Sequence, residues 1–339
     1  MSRRLCFDIS KEMTGMTIRQ FLQEELAFSA HQISRLKFQE EGIRVDGEKA
    51  YVSHVLKEGE VLTVGLTEQV LRRETEGGKP ARIWEAPAPE LAAFPLKVLY
   101  EDEDLLIVDK PAGMVCHPSP GHYSDTLANQ AAAYLGGTGT EMDMRVTGRL
   151  DRETSGIVTF AKNTEAAAMI QRQRAAGRLR KIYLALAEGF FEADEGVVDV
   201  PLRRRAPGSH HMVCAQDGKP AKTFYRVLAR TQGPDGNPRT ILACRIEHGR
   251  THQIRVHMAH IGHPLAGDPL YGISGAERDS ADTDIHNTSA RDPHREPMGL
   301  HAYRLSFFHP FREAKIEIRA EIPGWIGTVH KNYIETIEI

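Results

Sequence analysis

The apolar positions of the first 66 residues follow two helical stripes and then an alternating pattern. A first stripe at helical spacing is formed by Ile18, Phe21, Leu22 and Leu26. A second stripe, after the capping residue Ser29, is formed by Ile33, Leu36 and Phe38. An alternating segment then reaches the turn pair Asp46-Gly47, and a second apolar segment closes near residue 66. The pattern predicts a small helix-helix-hairpin module over residues 1–66.

Residues 67–95 lose this periodicity and carry Gly77-Gly78 and recurrent prolines, which predicts an extended linker. From residue 96 onward, apolar segments at strand spacing outnumber those at helical spacing. Helices are predicted near 125–134 and 164–177. Strands are predicted in residues 96–113 and in GIVTFAKN, KIYLALAEG, AKTFYRVLAR, TILACRIEHGR and KIEIRAEI. The expected architecture for residues 96–339 is α+β, with a mixed, mainly antiparallel sheet.

Composition narrows the class of protein only a little. With 26% charged and 41% hydrophobic residues, the chain has the composition of a folded globular protein. The net charge of -3 excludes a globally basic chain, so any anion-binding surface must be local. One cationic cluster lies within ten residues and comprises Arg172, Arg174, Arg178, Arg180 and Lys181. Charge alone fits a solvated helix face equally well.

The cysteines and the apolar runs bear on the compartment. The four cysteines are widely separated and form no C-x-x-C pair, so reduced thiols in a cytoplasm are expected. No apolar run approaches the ~20 residues of a membrane helix, and the N-terminus has no hydrophobic signal core. Residues 273–298 are polar and are predicted to form a mobile surface loop. We therefore expect a cytoplasmic protein without a membrane association.

The segment GRLDRETSGIVTFAKN places an unusual density of polar residues directly before an apolar strand. These residues are Arg149, Asp151, Arg152, Glu153, Thr154 and Ser155. Polar density at a strand entrance indicates a candidate site. The alternative is a turn in which Asp, Ser and Thr side chains bond the local backbone.

A second polar cluster lies in EHGRTHQIRVHMAHIGHPLAGDPLYG and comprises Arg250, His252, Gln253, Arg255 and His257. If the segment is a strand, alternation places Gln253, Arg255 and His257 on one face. An inward arginine needs an anion, and Asp151 as that partner would stay charged in a cleft, as a nucleophile or base requires. The alternative is a structural buried salt bridge.

An aromatic residue, Tyr183, follows the basic cluster at the start of a predicted strand. Such a side chain could stack on a displaced base, although a strand tyrosine is also an ordinary core residue.

The histidines of the second cluster allow a different enzyme class. His248, His252, His257, His260 and His263 fall within sixteen residues, which raises the hypothesis of a metal hydrolase. No H-E-x-x-H motif occurs, and Pro264 would curtail a helix bearing the ligands, so we expect no metal.

Several segments, in order, resemble the RluA-type pseudouridine synthases from about Leu96 to the C-terminus. They are KPAGMVCHP, GRLDRETSGIVTFAK, K-I-Y, GRTHQIRVHMAHIGHPLAGDPLYG and LHAYRLSFFHP. One departure is Gly148, where many members have histidine before Arg-Leu-Asp. The resemblance implies the pseudouridine synthase fold and an isomerase that converts a uridine of structured RNA. Because the reaction is redox-neutral, no cofactor is expected.

The resemblance also assigns roles to residues of this chain. Asp151 would be catalytic and act at the sugar as a nucleophile or base, although attack on the base ring has also been considered. Tyr183 would stack on the uracil and help at the late proton loss, and Arg255 would position Asp151. The RNA contacts expected in this domain are Arg149, Arg152, Thr154, Lys181, Arg250, His252, Gln253 and His257.

The N-terminal module resembles the RNA-binding domain of ribosomal small-subunit protein four. In that module, Arg35, Lys37 and Arg44 would face phosphates, against the alternative of ordinary exposed polarity. Such a module favours large-subunit ribosomal RNA as the target, with transfer RNA as the alternative. A non-catalytic RNA-binding or ribosome assembly factor is the remaining alternative, and no obligate protein partner is evident.

Overall fold

A computed structural model describes residues 3–26, 28–66, 82–137, 141–142, 144–272, 296–312, 314–327 and 334 of the 339-residue chain. Residues 67–81 of the predicted linker therefore lie outside the described residues. Residues 273–295 of the predicted polar loop also lie outside them. Residues 82–95 are packed rather than extended throughout, because Trp84 is buried and Leu91 and Phe94 contact the same apolar core. The division of the chain at residues 66 and 96 stays a prediction.

The N-terminal residues form a four-stranded antiparallel sheet covered by two helices. The helices are α1 (Ile18–Glu24) and α2 (Ala30–Phe38). The strands, in the order β1-β4-β2-β3, are β1 (Arg3–Asp8), β4 (Val61–Leu66), β2 (Ile43–Val45) and β3 (Glu48–Lys49). Thr17 and Ser29 cap the helices through capping boxes. The predicted helices and hairpin are confirmed, and strand β1 was not predicted.

A ten-stranded sheet forms the centre of the remaining chain. Its main order is β12-β15-β16-β11-β17-β10-β7-β6, with β18 on β17 and β9 on β10. The first four strands of this sheet along the chain are β6 (Lys97–Glu101), β7 (Leu105–Lys110), β9 (Arg145–Gly148) and β10 (Ser155–Ala161). The later ones are β11 (Arg180–Glu188), β12 (Glu195–Asp199), β15 (Lys222–Gln232), β16 (Pro238–Glu247), β17 (Leu300–Phe308) and β18 (Lys315–Arg319). Only β10 and β17 pair in parallel among these described strands, so the mixed, mainly antiparallel α+β architecture is confirmed.

The remaining elements are short. Two further strand pairs are β5 (Arg82–Ile83) with β8 (Glu141–Met142), and β13 (Leu202–Arg204) with β14 (Met212–Cys214). Helices α3 (Leu127–Tyr134) and α4 (Thr164–Ala175) match the predicted positions, and 3-10 turns span Pro89–Ala93 and Gly324–Ile326. Of the helices that the structure describes, none has both the length and the apolar composition needed to cross a membrane.

The segment after β16 is a helix, α5 (Gln253–His260), and the predicted strand alternation there was wrong. His248, Gly249 and His252 all have positive φ angles, so the chain turns away from the sheet before α5 begins. Residues four apart share a face in a helix as well as in a strand, so Gln253 and His257 fit both periods. Arg255 separates the two cases, because the helix directs it to a different side from its neighbours.

The N-terminal module and the ten-stranded sheet share one apolar cluster. That cluster joins Leu36 and Leu66 to Ile107, Ile170 and Phe307 of the larger unit, all of them buried. Polar contacts reinforce it: Gln32 donates to the buried carboxylate of Glu165, and Arg172 donates to the backbone oxygen of Gln23 at 3.3 Å. Burial of apolar surface between the two units stabilises their relative placement.

Candidate active site

The loop between β9 and β10 carries Asp151 and is fixed by a buried lysine. Lys110, at the end of β7, donates from Nζ to the backbone oxygens of Pro111, Met114 and Arg152 at 2.8, 2.8 and 2.9 Å. Gly113 also donates its backbone N–H to the oxygen of Arg152 at 2.8 Å. Burial lowers the pKa of Lys110 to about 8. These bonds hold residues 111–114 against the Asp151 loop.

A cysteine fixes the other side of the same loop. The Sγ atom of Cys116 lies 3.3 Å from both the backbone nitrogen and the backbone oxygen of Leu150. Burial raises the pKa of the Cys116 thiol, so the group stays protonated and acts as a weak donor and acceptor. The residue before Asp151 is thereby attached to the neighbouring loop.

The carboxylate of Asp151 lies in a partly open cleft and meets two basic side chains. Its side chain is 27% exposed, which leaves access for a substrate. Arg255 Nη1 donates to Asp151 Oδ2 at 3.3 Å, and His252 Nε2 lies 4.0 Å from Oδ1. The predicted pairing of Arg255 with Asp151 is thus present in the structure. A hydrogen bond from a guanidinium orients the carboxylate that would act as a nucleophile or base.

Arg255 itself is held mainly by Asp268. The Nε and Nη2 atoms of Arg255 donate to the two carboxylate oxygens of Asp268 at 2.8 Å each, and both side chains are buried. Burial alone would lower the pKa of Arg255, but the hydrogen bonds and charge of Asp268 outweigh it and raise that pKa. In turn Arg255 outweighs burial at Asp268 and lowers the pKa of its carboxyl. Both groups therefore stay charged in the site.

His252 and Tyr271 complete this side of the cleft. The Nδ1 atom of His252 shares a hydrogen bond of 2.8 Å with the Tyr271 hydroxyl, which also accepts from the Met212 backbone at 2.9 Å. Burial lowers the pKa of His252 to about 4, so the imidazole is neutral near pH 7. Burial also raises the pKa of Tyr271 to about 12. Next to the charged pair, these two rings are neutral.

Tyr183 approaches the same region from the centre of the sheet. It pairs with Ala302 of β17, and Ala302 also pairs with Gly156, near the end of the Asp151 loop. Its side chain is almost fully buried, and within the described part of the chain its hydroxyl makes no hydrogen bond. Burial raises the pKa of Tyr183, so the phenol keeps its proton. The ring packs in the same apolar cluster as Leu150, the residue directly before Asp151.

Comparison with known proteins places this geometry in a family. The sequence model of the RNA pseudouridylate synthase family matches residues 104–260. An RNA pseudouridine synthase of Bacillus subtilis, YlyB, which is uncharacterized, is 34% identical over 85% of this chain and 90% of its own length. The chain belongs to the RNA pseudouridylate synthase family. The isomerase class that the motifs predicted is confirmed, as is the family.

Two further relatives of this family extend the comparison. Ribosomal large subunit pseudouridine synthase D of Nitrosomonas europaea is 41% identical over 64% of this chain, and the chain spans 59% of that relative's length. The solved structure of human RNA Pseudouridylate Synthase Domain Containing 1 is similar with a TM-score of 0.53 and 28% identity, over 67% of this chain and 84% of the human one. The likeness supports the pseudouridine synthase fold of residues 96 onward.

Three residues predicted to contact RNA in this pseudouridine synthase form hydrogen bonds within the fold instead. His257 is fully buried, and its ring nitrogens bond Thr223 Oγ1 at 2.8 Å and the Val200 oxygen at 2.9 Å. Gln253 is buried and donates to the Lys222 oxygen at 2.8 Å. The buried amine of Lys181 donates to the Ile157 oxygen at 2.8 Å. We correct these assignments to structural roles, because the polar atoms are already bonded within the fold.

The three arginines predicted to contact RNA lie closer to solvent. Arg149 is exposed and lies 3.3 Å from His117, and Arg152 pairs with Glu153 at 2.8 Å. Arg250 donates to the Pro220 oxygen at 3.0 Å. Thr154, by contrast, is buried, and its backbone N–H donates to the Asp151 backbone oxygen at 3.2 Å; this turn is closed by backbone atoms, not by the side chains that the alternative predicted.

In the N-terminal module, the three predicted cations differ in availability. Lys37 is exposed and Arg35 is partly buried, both near the end of α2. Arg44 donates to the Gly47 oxygen at 2.6 Å and pairs with Glu41. Lys37 is therefore the most accessible of them, and phosphate binding by the three stays a prediction.

Sequence reasoning missed three residues of the site: Asp268, Tyr271 and Lys110. Each lies in a motif that the sequence had already singled out, since Asp268 and Tyr271 belong to GDPLYG and Lys110 opens KPAG. The sequence did hold one indication of Asp268. The second cluster contains more basic side chains than Asp151 alone can pair with, so a further anion was to be expected near Arg255.

The histidine cluster does not form a metal site. Among the described residues, no three of His248, His252, His257, His260 and His263 bring ligand atoms together. His263, for example, bonds the Glu188 oxygen at 2.8 Å and stacks on Phe191. The one such group among described residues is Asp102, Asp104 and His309, which lies elsewhere and whose members bond one another.

Proposed function

We propose that this chain isomerises a uridine of large-subunit ribosomal RNA to pseudouridine and that Asp151 is its catalytic residue. The observation that carries the proposal is the accessible Asp151 carboxylate, which Arg255 faces at 3.3 Å and His252 approaches at 4.0 Å. The choice of ribosomal RNA is supported by the Nitrosomonas relative, whose name is Ribosomal large subunit pseudouridine synthase D.

The reaction breaks the bond between uracil N1 and ribose C1′, rotates the base, joins C5 to C1′ and releases the proton from C5. A uridine in a stem cannot reach a recessed carboxylate, so the enzyme must flip the nucleotide out of the RNA. Asp151 then acts at the sugar, as a nucleophile at C1′ or as a base on the ribose. Arg255 holds this carboxylate in a fixed orientation, which both routes require.

Tyr183 serves as the stacking surface for the uracil. Its burial keeps the phenol neutral, which favours stacking and hydrogen-bond donation over removal of the C5 proton. A ring fixed in the sheet by pairing with Ala302 holds the base in a defined plane while it rotates.

The accessible cations around the cleft are assigned to the RNA backbone. Arg149, Arg152 and Arg250 surround the Asp151 loop and keep part of each side chain near solvent. Phosphate contacts of this kind position the RNA without reading its sequence. Structured RNA is the partner in this proposal, and a cytoplasmic location follows from ribosomal RNA as the substrate.

The test is pseudouridine mapping on total RNA from a strain that lacks the gene, complemented with wild type, Asp151→Asn or Asp217→Asn. Asp217 is an exposed carboxylate that pairs with Arg203 at 2.9 Å, so its variant is the matched control. We expect a site in large-subunit RNA to disappear on deletion and to return with wild type and the control alone.

The other outcomes separate the alternatives. A site that returns with Asp151→Asn would refute the catalytic assignment, provided that circular dichroism shows the variant folded. A site lost from transfer RNA instead would correct the substrate. Unchanged maps, together with no turnover by the purified protein on unmodified transcripts, would favour a non-catalytic assembly factor.

A further inference from the structure

Gly148 ends β9 immediately before Arg149, and its missing side chain leaves room for a residue from another element. An ideal Cβ atom at this position would lie 3.5 Å from Cζ of Arg174 and would overlap its Nη2 atom. The backbone at Gly148 has no positive φ, so the conformation alone does not require glycine. The guanidinium of Arg174 thus occupies the volume of a side chain at position 148.

Helix α4 packs close to β9 and brings Arg174 to it. Gln171 donates from Nε2 to the backbone oxygen of Thr147 at 2.7 Å, directly before Gly148. Residues three apart lie on the same helix face, so Gln171 and Arg174 approach β9 together. The N-terminus of α4 is fixed as well, because Asn163 Oδ1 accepts the Ala166 N–H at 2.8 Å.

Arg174 brings an uncompensated charge to this position. Within the described residues it donates no hydrogen bond and forms no ion pair, whereas Arg172 on the same helix donates to Gln23. The positive charge acts on the active site, since it adds to the effect of burial in lowering the pKa of Lys181 and partly opposes the effect of burial at Tyr183. Among the residues that the structure describes, this exposed arginine beside the Asp151 loop therefore has no carboxylate partner.

We infer that Arg174 binds a phosphate of the RNA strand next to the flipped uridine, with its guanidinium held against the backbone of Gly148. Gly148 and Asp151 are three positions apart, which limits the distance between their Cα atoms to about 10 Å. The anions that an RNA brings there are its phosphates, and the planar fork of an arginine matches two phosphate oxygens. The inference rests on the proposed function, because it takes RNA as the ligand of this cleft.

The test measures RNA affinity as a function of salt in an Asp151→Asn background, so that turnover does not change the probe. The probe is an unmodified transcript of large-subunit ribosomal RNA. Removing one phosphate contact makes the plot of log association constant against log salt concentration less steep by about 1. For Arg174→Gln we therefore expect weaker binding than that of the parent. We also expect that raising KCl from 50 to 200 mM reduces the affinity of the variant by a factor about fourfold smaller than the factor for the parent.

Two further variants distinguish an effect of the position of the Arg174 guanidinium against Gly148 from an effect of net charge alone. Gly148→Ala should reproduce the effect of Arg174→Gln, because the added Cβ displaces the guanidinium, and the double variant should lose little more than either single one. Arg172→Gln removes the same charge from a side chain turned toward the N-terminal module, and its slope should match the parent. Thermal melting monitors folding of each.

Parental affinity and slope in Arg174→Gln would overturn the inference, as would an equal loss in Arg172→Gln, which would reduce the effect to net charge. Failure of the proposed function looks different. In that case wild type releases no tritium from a transcript labelled at uridine C5, while the binding comparison between Arg174→Gln and Arg172→Gln still decides whether Arg174 contacts RNA.

Discussion

Asp268 binds Arg255 through both of its carboxylate oxygens at 2.8 Å, and this leaves only Nη1 of the guanidinium to face Asp151, at 3.3 Å. The order of these distances identifies Asp268 as the residue that sets where Arg255 lies. Asp151 is partly exposed, whereas Asp268 and Arg255 are buried. The carboxylate of Asp151, the proposed catalytic residue, is therefore positioned through a buried ion pair.

Replacing Asp268 with asparagine should impair turnover more than RNA binding. The variant loses the charged anchor of Arg255, and a small misplacement of a reacting group can reduce the rate by about 100-fold. We expect kcat to fall by about 10- to 100-fold with KM nearly unchanged. Tritium release from uridine labelled at C5 measures both constants.

The same substitution should lower stability, because breaking a buried ion pair costs about 3–5 kcal/mol. Asp217→Asn, which breaks the exposed pair with Arg203, should change the free energy of unfolding by less than about 1 kcal/mol. Wild-type kcat in a folded Asp268→Asn protein would show that Arg255 needs no second anchor.

Lys110 should be a positioning residue for the Asp151 loop. Lys110→Met retains the length of the side chain but leaves the oxygens of Pro111, Met114 and Arg152 without their shared donor. Unsatisfied buried groups cost about 1–3 kcal/mol each, so a clear drop in melting temperature is expected. Loosening of the loop should also lower kcat, measured by the same tritium assay at a temperature where the variant is folded.

Lys97→Met is the control for the loss of a lysine. Lys97 lies on β6 and pairs with the exposed carboxylate of Glu321 at 2.7 Å and with Asp109 at 3.3 Å. Its replacement should leave kcat unchanged. If Lys110→Met is as active as this control, the three bonds of Lys110 serve stability alone.

The sequence predicted the strands around the site better than the geometry of the site itself. The strands at 97–101, 105–110 and 155–161 alternate clearly or are uniformly apolar, and all three were predicted. Helix α5 was mistaken for a strand because polar residues at positions 253, 255 and 257 fit a period of two. The positive φ angles at His248 and His252, which turn the chain out of the sheet, cannot be inferred from histidine.

Pairing across the chain limited the prediction of side-chain roles. The contact between Arg255 and Asp151 joins residues 104 positions apart, and it was predicted from the need of a buried arginine for an anion and from the family resemblance. His257 and Lys181 were assigned to RNA because they are polar and lie near the motifs. Their partners are the backbone oxygens of Val200, directly after β12, and of Ile157 in β10, and local sequence does not report such long-range contacts.

Acid should destabilise this protein through its buried neutral histidines. Burial lowers the pKa of both His252 and His301 to about 4, from the ordinary value near 6.5. Between these two values the unfolded chain binds more protons than the folded one. The stabilising effect is therefore complete above about pH 6.5 and is lost as the pH falls toward 4, by up to about 3 kcal/mol per histidine.

His301→Asn tests this dependence, because asparagine can keep a hydrogen bond to Ser155, which lies 2.8 Å from Nδ1 of His301, and does not titrate. Urea unfolding at pH 7.5, 6 and 5 should give a shallower loss of stability for this variant than for wild type. His260→Gln, on the exposed end of α5, should retain the wild-type slope. Equal slopes in all three proteins would mean that His301 is protonated in the folded state with an ordinary pKa, and burial would then not keep this imidazole neutral.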